Sequence, residues 1–144
     1  YACRAGTSTR YWTGDDTGEM TKVEWRGNNS DGKLHPVGRR LANPFGLHDM
    51  AGNVWEWTAD RYDPHAYSAR DGLKVVDPTG PAAPFGRELR RVQRGGSFLC
   101  HDSYCSRYRP GARQGAAADS GTSHAGVRCA KSVQTVNATS RSSS

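Results

Sequence analysis

The chain is poor in the aliphatic residues from which most protein cores are built. It has no isoleucine, and its 6 leucines, 9 valines and 3 phenylalanines are 18 of 144 residues, below the roughly 20% that separates globular from disordered chains. Four tryptophans and six tyrosines compensate, because each aromatic side chain can bury on the order of 150–250 Å². With 17 glycines and 7 prolines, we expect short elements, tight turns and a core supported by aromatics, metal ions or disulfides. This composition excludes a coiled coil and a helical bundle, and no window approaches the roughly 18 consecutive apolar residues of a membrane span.

The net charge of +6 is unevenly distributed. Residues 1–72 carry 9 basic and 10 acidic residues, whereas residues 73–144 carry 11 and 4. Seven of the arginines lie between residues 87 and 113, interleaved with aromatic residues, and such a pattern can bind phosphates and bases. No helix-turn-helix, zinc-finger or RNA-recognition signature accompanies the charge. We therefore predict no nucleic-acid partner, and expect the arginines to pair with carboxylates, cover aromatic rings or attract an acidic or peptide partner.

Glycine and proline divide the chain into short segments. Residues 92–99 are the best strand candidate, and residues 125–129 predict a terminal strand. Residues 47–57 begin either a short helix or a tight metal-holding loop, and residues 61–87 predict a long surface loop. The Ser/Thr-rich residues 132–144 predict a flexible tail. The pattern as a whole indicates a loop-rich α+β domain with short, mostly antiparallel strands.

Four cysteines offer the clearest chemistry. Cys100 and Cys105 are separated by four residues, while Cys3 and Cys129 lie near the ends of the ordered part, so three disulfide pairings are open. The spacing of Cys100 and Cys105 is uncommon for zinc and differs from that of thioredoxin-like enzymes. Two thiolates without other strong ligands suit Cu(I). A structural disulfide between Cys100 and Cys105 is the alternative.

Two sequence elements resemble one family. The segment NPFGLHDMAGNVWEW at 43–57 and the segment RGGSF at 94–98 resemble the sulfatase-modifying-factor fold, a C-type-lectin-like superfamily of enzymes and binding proteins. The segment GGSFLCHDSYCSRYR at 95–109 is similar to the active-site stretch of the formylglycine-generating enzymes within it. The resemblance runs over residues 1–131, as the C-terminal part of such a domain, and implies an α+β, C-type-lectin-like fold.

The resemblance implies an oxidase. Its reaction would convert a cysteine in a C-x-P-x-R segment of a sulfatase-type polypeptide to Cα-formylglycine, with Cu(I) and O₂. Cys100 and Cys105 would be catalytic thiolates that hold Cu(I) and engage the substrate cysteine. The pocket in which O₂ is activated would be formed by Ser97 and Trp55, with His101 and Tyr104 beside it. The alternative for Trp55 is packing in the core.

The resemblance also implies a calcium site. Its ligands would be the carboxylates of Asp49 and Glu56 and the backbone carbonyls of Gly52 and Val54, a compact set of the hard oxygen ligands that Ca²⁺ prefers. The alternative is a turn that needs Gly52 for its backbone and Asp49 as a cap.

Substrate contacts and a second cysteine pair follow from the same resemblance. Arg113, Ser120 and His124 would bind the substrate, although the family has Asn where His124 stands. Cys3 and Cys129 would form a structural disulfide, which favours an oxidising or secretory compartment. Without that bond, a bacterial cytoplasm is the expectation.

Two function classes remain open at this level. The first is a copper-dependent cysteine oxidase, or the catalytic half of one that is completed by an N-terminal half or a partner chain, because the resemblance covers only part of the enzyme domain. The second is a non-catalytic binding module on the same lectin-like scaffold, which presents the arginine-rich loops to a peptide, a glycan or a partner chain.

Overall fold

A single four-stranded sheet organises the chain. The computed structural model describes residues 1–73, 76 and 80–131. In chain order its elements are the short helix α1 (Thr17–Met20), strand β1 (Trp55–Arg61), a 3-10 turn (Ser68–Arg70), and the strands β2 (Arg90–Arg94), β3 (Gln114–Ala117) and β4 (Ala125–Gly126). The sheet order is β3-β2-β1-β4. Two of the three pairings are antiparallel and β1 runs parallel to β4, so the predicted loop-rich α+β class with mostly antiparallel strands is confirmed.

Backbone conformation decides where the strands begin and end. Asp49, Gly52 and Asn53 all have positive φ, which is incompatible with a helix. Residues 47–54 therefore form the tight loop rather than the helix of the two predicted alternatives, and β1 begins directly after it at Trp55. The predicted strand at 92–99 is wrong at its end: β2 stops at Arg94, because Gly95 and Gly96 also have positive φ.

The other two segment predictions meet different outcomes. The predicted terminal strand at 125–129 is reduced to its first two residues. Residues 62–73 carry only the 3-10 turn, in agreement with the predicted long surface loop. The predicted tail at 132–144 lies outside the described residues. No helix in the described part of the chain has the length and apolar character needed to cross a membrane.

Aromatic rings and sulfur atoms build the core. Its buried cluster consists of Tyr11, Met20, Val23, Ala51, Trp55, Cys100, Cys105 and Tyr108. Tyr11 and Tyr108 stack with their ring centroids 5.9 Å apart. This agrees with the composition, because only one large aliphatic residue, Val23, contributes to the cluster.

Asn53 joins the core to two loops. Its side chain accepts a hydrogen bond from the His35 amide at 3.2 Å and donates one to the His35 carbonyl at 3.1 Å. Its backbone N–H donates to Trp25 at 2.7 Å, and its carbonyl accepts from Phe98 at 2.8 Å. One buried residue thus aligns the loop before β1 with the loop after β2, and the cysteines follow in that second loop.

Candidate active site

A tight loop after β2 carries Cys100 and Cys105. Gly96 turns the chain where it leaves the strand, and a Cβ there would lie 3.3 Å from the Cys100 sulfur and 3.2 Å from the Tyr108 nitrogen. The Cys100 N–H donates to the Ser97 carbonyl at 2.9 Å, and the Cys105 N–H donates to the His101 carbonyl at 2.7 Å. The loop therefore folds back on itself and brings its two ends together.

Cys100 and Cys105 form a disulfide, with their α-carbons 5.1 Å apart. Both cysteines are buried. This is the alternative that the sequence left open for the pair. A disulfide and its dithiol are two states of one redox couple, so the same residues supply two adjacent thiol groups once two electrons and two protons are added.

The disulfide faces a cavity of about 240 Å³. Residues from β1, β3 and the loops after β2 and before β4 line it: Trp55, Ser97, Leu99, Cys100, Tyr104, Cys105, Arg107, Gln114 and His124. Six of the predicted site residues thus converge, although almost 70 positions separate Trp55 from His124 in sequence. The backbone N–H of Trp55 donates to the His124 carbonyl at 2.8 Å, which fixes these two walls to each other.

Three lining residues were not predicted: Leu99, Arg107 and Gln114. Arg107 Nη1 donates to Gln114 Oε1 at 2.7 Å, and Gln114 Nε2 donates to Gln93 Oε1 at 3.0 Å. Gln93 and Gln114 are cross-strand partners on β2 and β3. The signal in the sequence was the position of Arg107, two residues after Cys105, because a guanidinium near a thiol favours the thiolate form.

Ser97 and Tyr104 complete the polar surface of the cavity. The Ser97 hydroxyl oxygen accepts a hydrogen bond from the Leu99 amide at 3.3 Å, which leaves its own proton to donate elsewhere. The Tyr104 hydroxyl donates to the Leu99 carbonyl. Arg107 is the one lining residue with a permanent charge, so the described walls of the cavity are electropositive.

Three other predicted residues lie outside this cavity. His101 contacts the Ser103 hydroxyl at 2.8 Å and stacks on Tyr104 with centroids 6.0 Å apart. The exposed Ser120 hydroxyl donates to the Ala117 carbonyl at 2.7 Å. Arg113 lies over two tyrosine rings and donates to the Asp63 carbonyl at 2.6 Å. Arg113 therefore packs the 62–67 loop against β3 and does not face the disulfide.

The predicted calcium residues lie in the 47–54 loop and, in the case of Glu56, near the start of β1. The Asp49 carboxylate is buried: Oδ2 accepts from the Gly38 amide at 2.7 Å, whereas Oδ1 has no hydrogen-bond partner among the described residues. Both Glu56 carboxylate oxygens accept from Arg128 Nε, at 2.8 and 2.7 Å, and this hydrogen bonding raises the pKa of Arg128. The unpaired Asp49 oxygen fits a Ca²⁺ ligand, and Glu56 would share its carboxylate between the metal and Arg128.

The donor set around the disulfide also fits its predicted metal. Within the described ranges 1–73 and 80–131, no cluster of three or more His, Cys, Asp or Glu side chains could hold an ion. A zinc site of the usual four ligands is therefore not formed there. Two reduced cysteines alone are a soft, low-coordinate set, which suits Cu(I).

The predicted disulfide between Cys3 and Cys129 is not formed. Both cysteines are free; Cys129 is exposed, whereas the half-buried Cys3 thiol donates to the Met50 carbonyl at 3.6 Å. Burial raises the pKa of the Cys3 thiol. The expectation of an oxidising compartment depended on this disulfide and stays a prediction.

A larger cavity lies on another part of the molecule. It has a volume of about 720 Å³ and borders Cys3, Trp57, Arg94 and Arg128. It contains neither the disulfide nor the residues around it. We assign the site to the smaller cavity because the Cys100–Cys105 disulfide lines it, together with Trp55 and Arg107.

Comparison with known proteins gives one consistent result. A family model described as a sulfatase-modifying factor enzyme 1-like domain matches residues 1–133. The formylglycine-generating enzyme of Mycobacterium tuberculosis is 39% identical over 140 residues, which cover 90% of this chain and 47% of that protein. The formylglycine-generating enzyme of Bos taurus is 37% identical over 142 residues, with 90% and 36% covered.

Two further matches bear on the fold and on activity. The solved structure of Treponema denticola variable protein 1 superposes with a TM-score of 0.72 and 32% identity, covering 88% of this chain and 42% of that one. The protein named inactive C-alpha-formylglycine-generating enzyme 2 of Mus musculus is 35% identical over 93 residues, with 63% and 23% covered. The chain spans less than half the length of each of these four proteins.

Proposed function

Because the chain belongs to the family of sulfatase-modifying factor enzyme 1-like domains, we propose that it forms the catalytic part of a formylglycine-generating oxidase. Its substrate would be a cysteine in a C-x-P-x-R segment of a sulfatase-type polypeptide. One observation carries the proposal: the Cys100–Cys105 disulfide faces a cavity lined by Trp55, Ser97, Tyr104 and His124. Trp55, Ser97 and Tyr104 are residues that the formylglycine-generating resemblance assigns to the reaction, whereas the family has Asn at the position of His124.

The overall chemistry has a defined balance. Conversion of a cysteine side chain to an aldehyde removes sulfur as H₂S and oxidises carbon by two electrons. Reduction of O₂ takes four electrons, so two further electrons and two protons come from an external thiol reductant, and water is the second product. Cu(I), when bound, supplies the one-electron chemistry that lets O₂ react with a thiol.

The chain's own residues prepare the site. Reduced Cys100 and Cys105 would hold the metal and leave room for the substrate sulfur. The Arg107 guanidinium, held by Gln114 at 2.7 Å, would place a positive charge on the wall of the cavity that these sulfurs share. The buried Trp55 ring would form an apolar wall that limits water near reactive oxygen.

The loop that begins at Asp49 would bind calcium for structural reasons. The buried Asp49 oxygen without a partner is the observation that supports this site. The bound ion would tie Glu56, on β1, to the loop before it. Trp55 is the adjacent residue, so calcium would stabilise the cavity wall rather than take part in the reaction.

An anaerobic Cu(I) titration of the reduced chain against a competing chelator tests the metal site. We expect one tight equivalent, lost in Cys100→Ser and in Cys105→Ser. Cys129→Ser is the matched control, because Cys129 is exposed and does not line the cavity, and it should bind copper as the wild type does. Copper binding that is indifferent to Cys100 and Cys105 would contradict the proposal.

Peptide oxidation then tests catalysis. A C-x-P-x-R peptide is incubated with the copper-loaded chain, O₂ and a thiol reductant, and the aldehyde is trapped with a hydrazide. Aldehyde formation that is lost in Cys100→Ser supports the oxidase. Tight copper binding without aldehyde would contradict catalysis by this chain on its own.

A non-catalytic binding module is the second candidate. The similarity to a mouse protein named as inactive favours it, together with the exposed arginines of the 87–113 segment. This function predicts saturable binding of a peptide, glycan or partner chain. The affinity should survive replacement of both Cys100 and Cys105 by serine. The complex of an oxidase with its substrate, held through the substrate sulfur, should be lost in the same variant.

A further inference from the structure

A fully buried guanidinium reaches the cysteine loop from the other side of the core. Arg26 is only 2% exposed. Its Nε lies 2.9 Å from Glu24 Oε1, its Nη1 lies 2.5 Å from Asp102 Oδ1, and its Nη2 donates to the Thr17 carbonyl at 3.2 Å. Asp102 stands between Cys100 and Cys105 in sequence. The buried cation is therefore bonded directly to the segment that the disulfide closes.

A second buried side chain holds the same carboxylate. The Tyr108 hydroxyl donates to Asp102 Oδ1, and the Arg26 guanidinium lies 4.9 Å from the Tyr108 ring centroid. Burial, together with the hydrogen bond to Asp102, raises the pKa of Tyr108, so its phenol remains a donor. One carboxylate oxygen thus receives a charged and a neutral donor, both from rigid positions in the core.

The backbone next to Arg26 holds the start of the loop as well. The Gly27 N–H donates to the Cys100 carbonyl at 2.7 Å. A Cβ at Gly27 would lie 3.1 Å from that carbonyl oxygen, so the two backbones are in close contact. Residues 26 and 27 therefore hold the cysteine loop at Cys100 through the backbone and at Asp102 through a side chain.

The neighbouring Glu24 makes Asp102 the more important partner of Arg26. Glu24 is completely buried, and burial raises its pKa to about 8, so at neutral pH much of it is protonated. Asp102, whose side chain is 45% exposed, is much less desolvated than Glu24. A buried arginine needs such a partner, which keeps Asp102 in place.

We propose that Arg26, Asp102 and Tyr108 form a clamp that positions Cys100 and Cys105 and sets the reduction potential of the pair. With the loop held, the two sulfurs stay close, which favours the disulfide over an open dithiol. Reduction adds two electrons and two protons from a dithiol reductant, breaks the S–S bond and leaves two thiols in register. The consequence for metal and substrate binding rests on the proposed function, but the potential itself does not.

Equilibration with dithiothreitol buffers of defined ratio, followed by mass spectrometry of alkylated protein, measures the potential. Asp102→Asn removes the ion pair, and Tyr108→Phe removes the second hydrogen bond without a change of charge. We expect each to lower the equilibrium constant for disulfide formation, by about tenfold for Asp102→Asn, which corresponds to a potential about 30 mV more positive. Ser103→Ala, in the same loop but outside the clamp, should leave the potential unchanged.

The pattern across the variants decides the outcome. If Asp102→Asn and Tyr108→Phe act through the same Asp102 carboxylate oxygen, the double variant shifts the potential by less than the sum of the two single shifts. Unchanged potentials in both single variants would overturn the clamp. A shift in Asp102→Asn without one in Tyr108→Phe would also overturn it, since a charge effect alone would then explain the result. Circular dichroism confirms that each variant is folded, and all of these readouts are obtained whether or not the chain oxidises a peptide.

Discussion

Replacement of Gly52 by alanine tests how the loop before β1 is held against the core. Gly52 has a φ of +73°, and a Cβ there would lie 2.3 Å from the Trp25 oxygen and 2.8 Å from the Trp25 nitrogen. Both are backbone atoms, which cannot rotate away as the end of a side chain can. The loop or the segment around Trp25 must move, and the 2.7 Å hydrogen bond from the Asn53 N–H to the Trp25 carbonyl is the first contact at risk.

Gly38 supplies a control with the same backbone strain. Its φ is also +73°, but a Cβ there meets nothing within 4 Å. An alanine at positive φ costs roughly 1–2 kcal/mol, and this cost applies to both positions. Gly52→Ala adds overpacking of roughly 1–3 kcal/mol and the weakening of a buried hydrogen bond of roughly 1–3 kcal/mol. We expect the free energy of unfolding to fall by about 3 kcal/mol more in Gly52→Ala than in Gly38→Ala.

Urea unfolding, followed by tryptophan fluorescence, measures both variants. The comparison is valid if the free energy of unfolding falls with urea concentration at the same slope in both variants, since the midpoints then report stability alone. Equal loss of stability would refute the reasoning, because it would mean that the Trp25 backbone moves aside at no cost. Calcium binding should fail in Gly52→Ala for the same geometric reason, and should persist in Gly38→Ala.

Three further results are expected. Burial raises the pKa of Glu24 from 4.5 to about 8, so between these pH values the folded chain binds a proton that the unfolded chain has released. The free energy of unfolding should therefore fall as pH rises through this range, by at most about 1.4 kcal/mol per pH unit. Glu24→Gln should remove this pH dependence in urea titrations at several pH values. Arg107→Gln should slow alkylation of the reduced cavity thiols at neutral pH, because a guanidinium near a thiol favours the reactive thiolate, whereas Arg109→Gln should not. Added Ca²⁺ should raise the melting temperature in scanning calorimetry, and Asp49→Ala should abolish the rise; an equal rise in that variant would contradict the site.

The sequence predicted the composition of the site better than the shape of the chain around it. The GGSFLCHDSYC segment and Trp55 were identified from the resemblance, and the structure brings Ser97, Cys100, Tyr104 and Cys105 of that segment together with Trp55 and His124 around one cavity. The boundaries of the strands were predicted less accurately. Positive φ at Asp49 and Asn53 ends any helix before Trp55, but neither residue type requires that conformation, so the sequence left helix and loop equally open.

Arg113 illustrates why residue roles are harder to predict than residue sets. In sequence it lies only eight positions after Cys105, within the arginine-rich segment. In the fold its guanidinium lies 5.2 and 4.4 Å from the ring centroids of Tyr62 and Tyr67. Those tyrosines come from a loop some 50 residues earlier, and no local pattern indicates that they meet Arg113. The clamp on Asp102 was missed for the same reason, because 76 positions separate it from Arg26.

The scarcity of aliphatic residues links the stability of this chain to its chemistry. Trp55, Cys100, Cys105 and Tyr108 belong to the buried core, and three of the four also line the cavity. In a chain rich in leucine and isoleucine, different residues would pack the core and line the cavity. Here a substitution that probes the reaction also removes packing, and truncation of a buried aromatic ring costs roughly 3–5 kcal/mol. A loss of activity in Trp55→Ala would therefore not separate catalysis from unfolding. Cysteine to serine and tyrosine to phenylalanine keep the volume nearly constant, so these changes can report on chemistry in this fold.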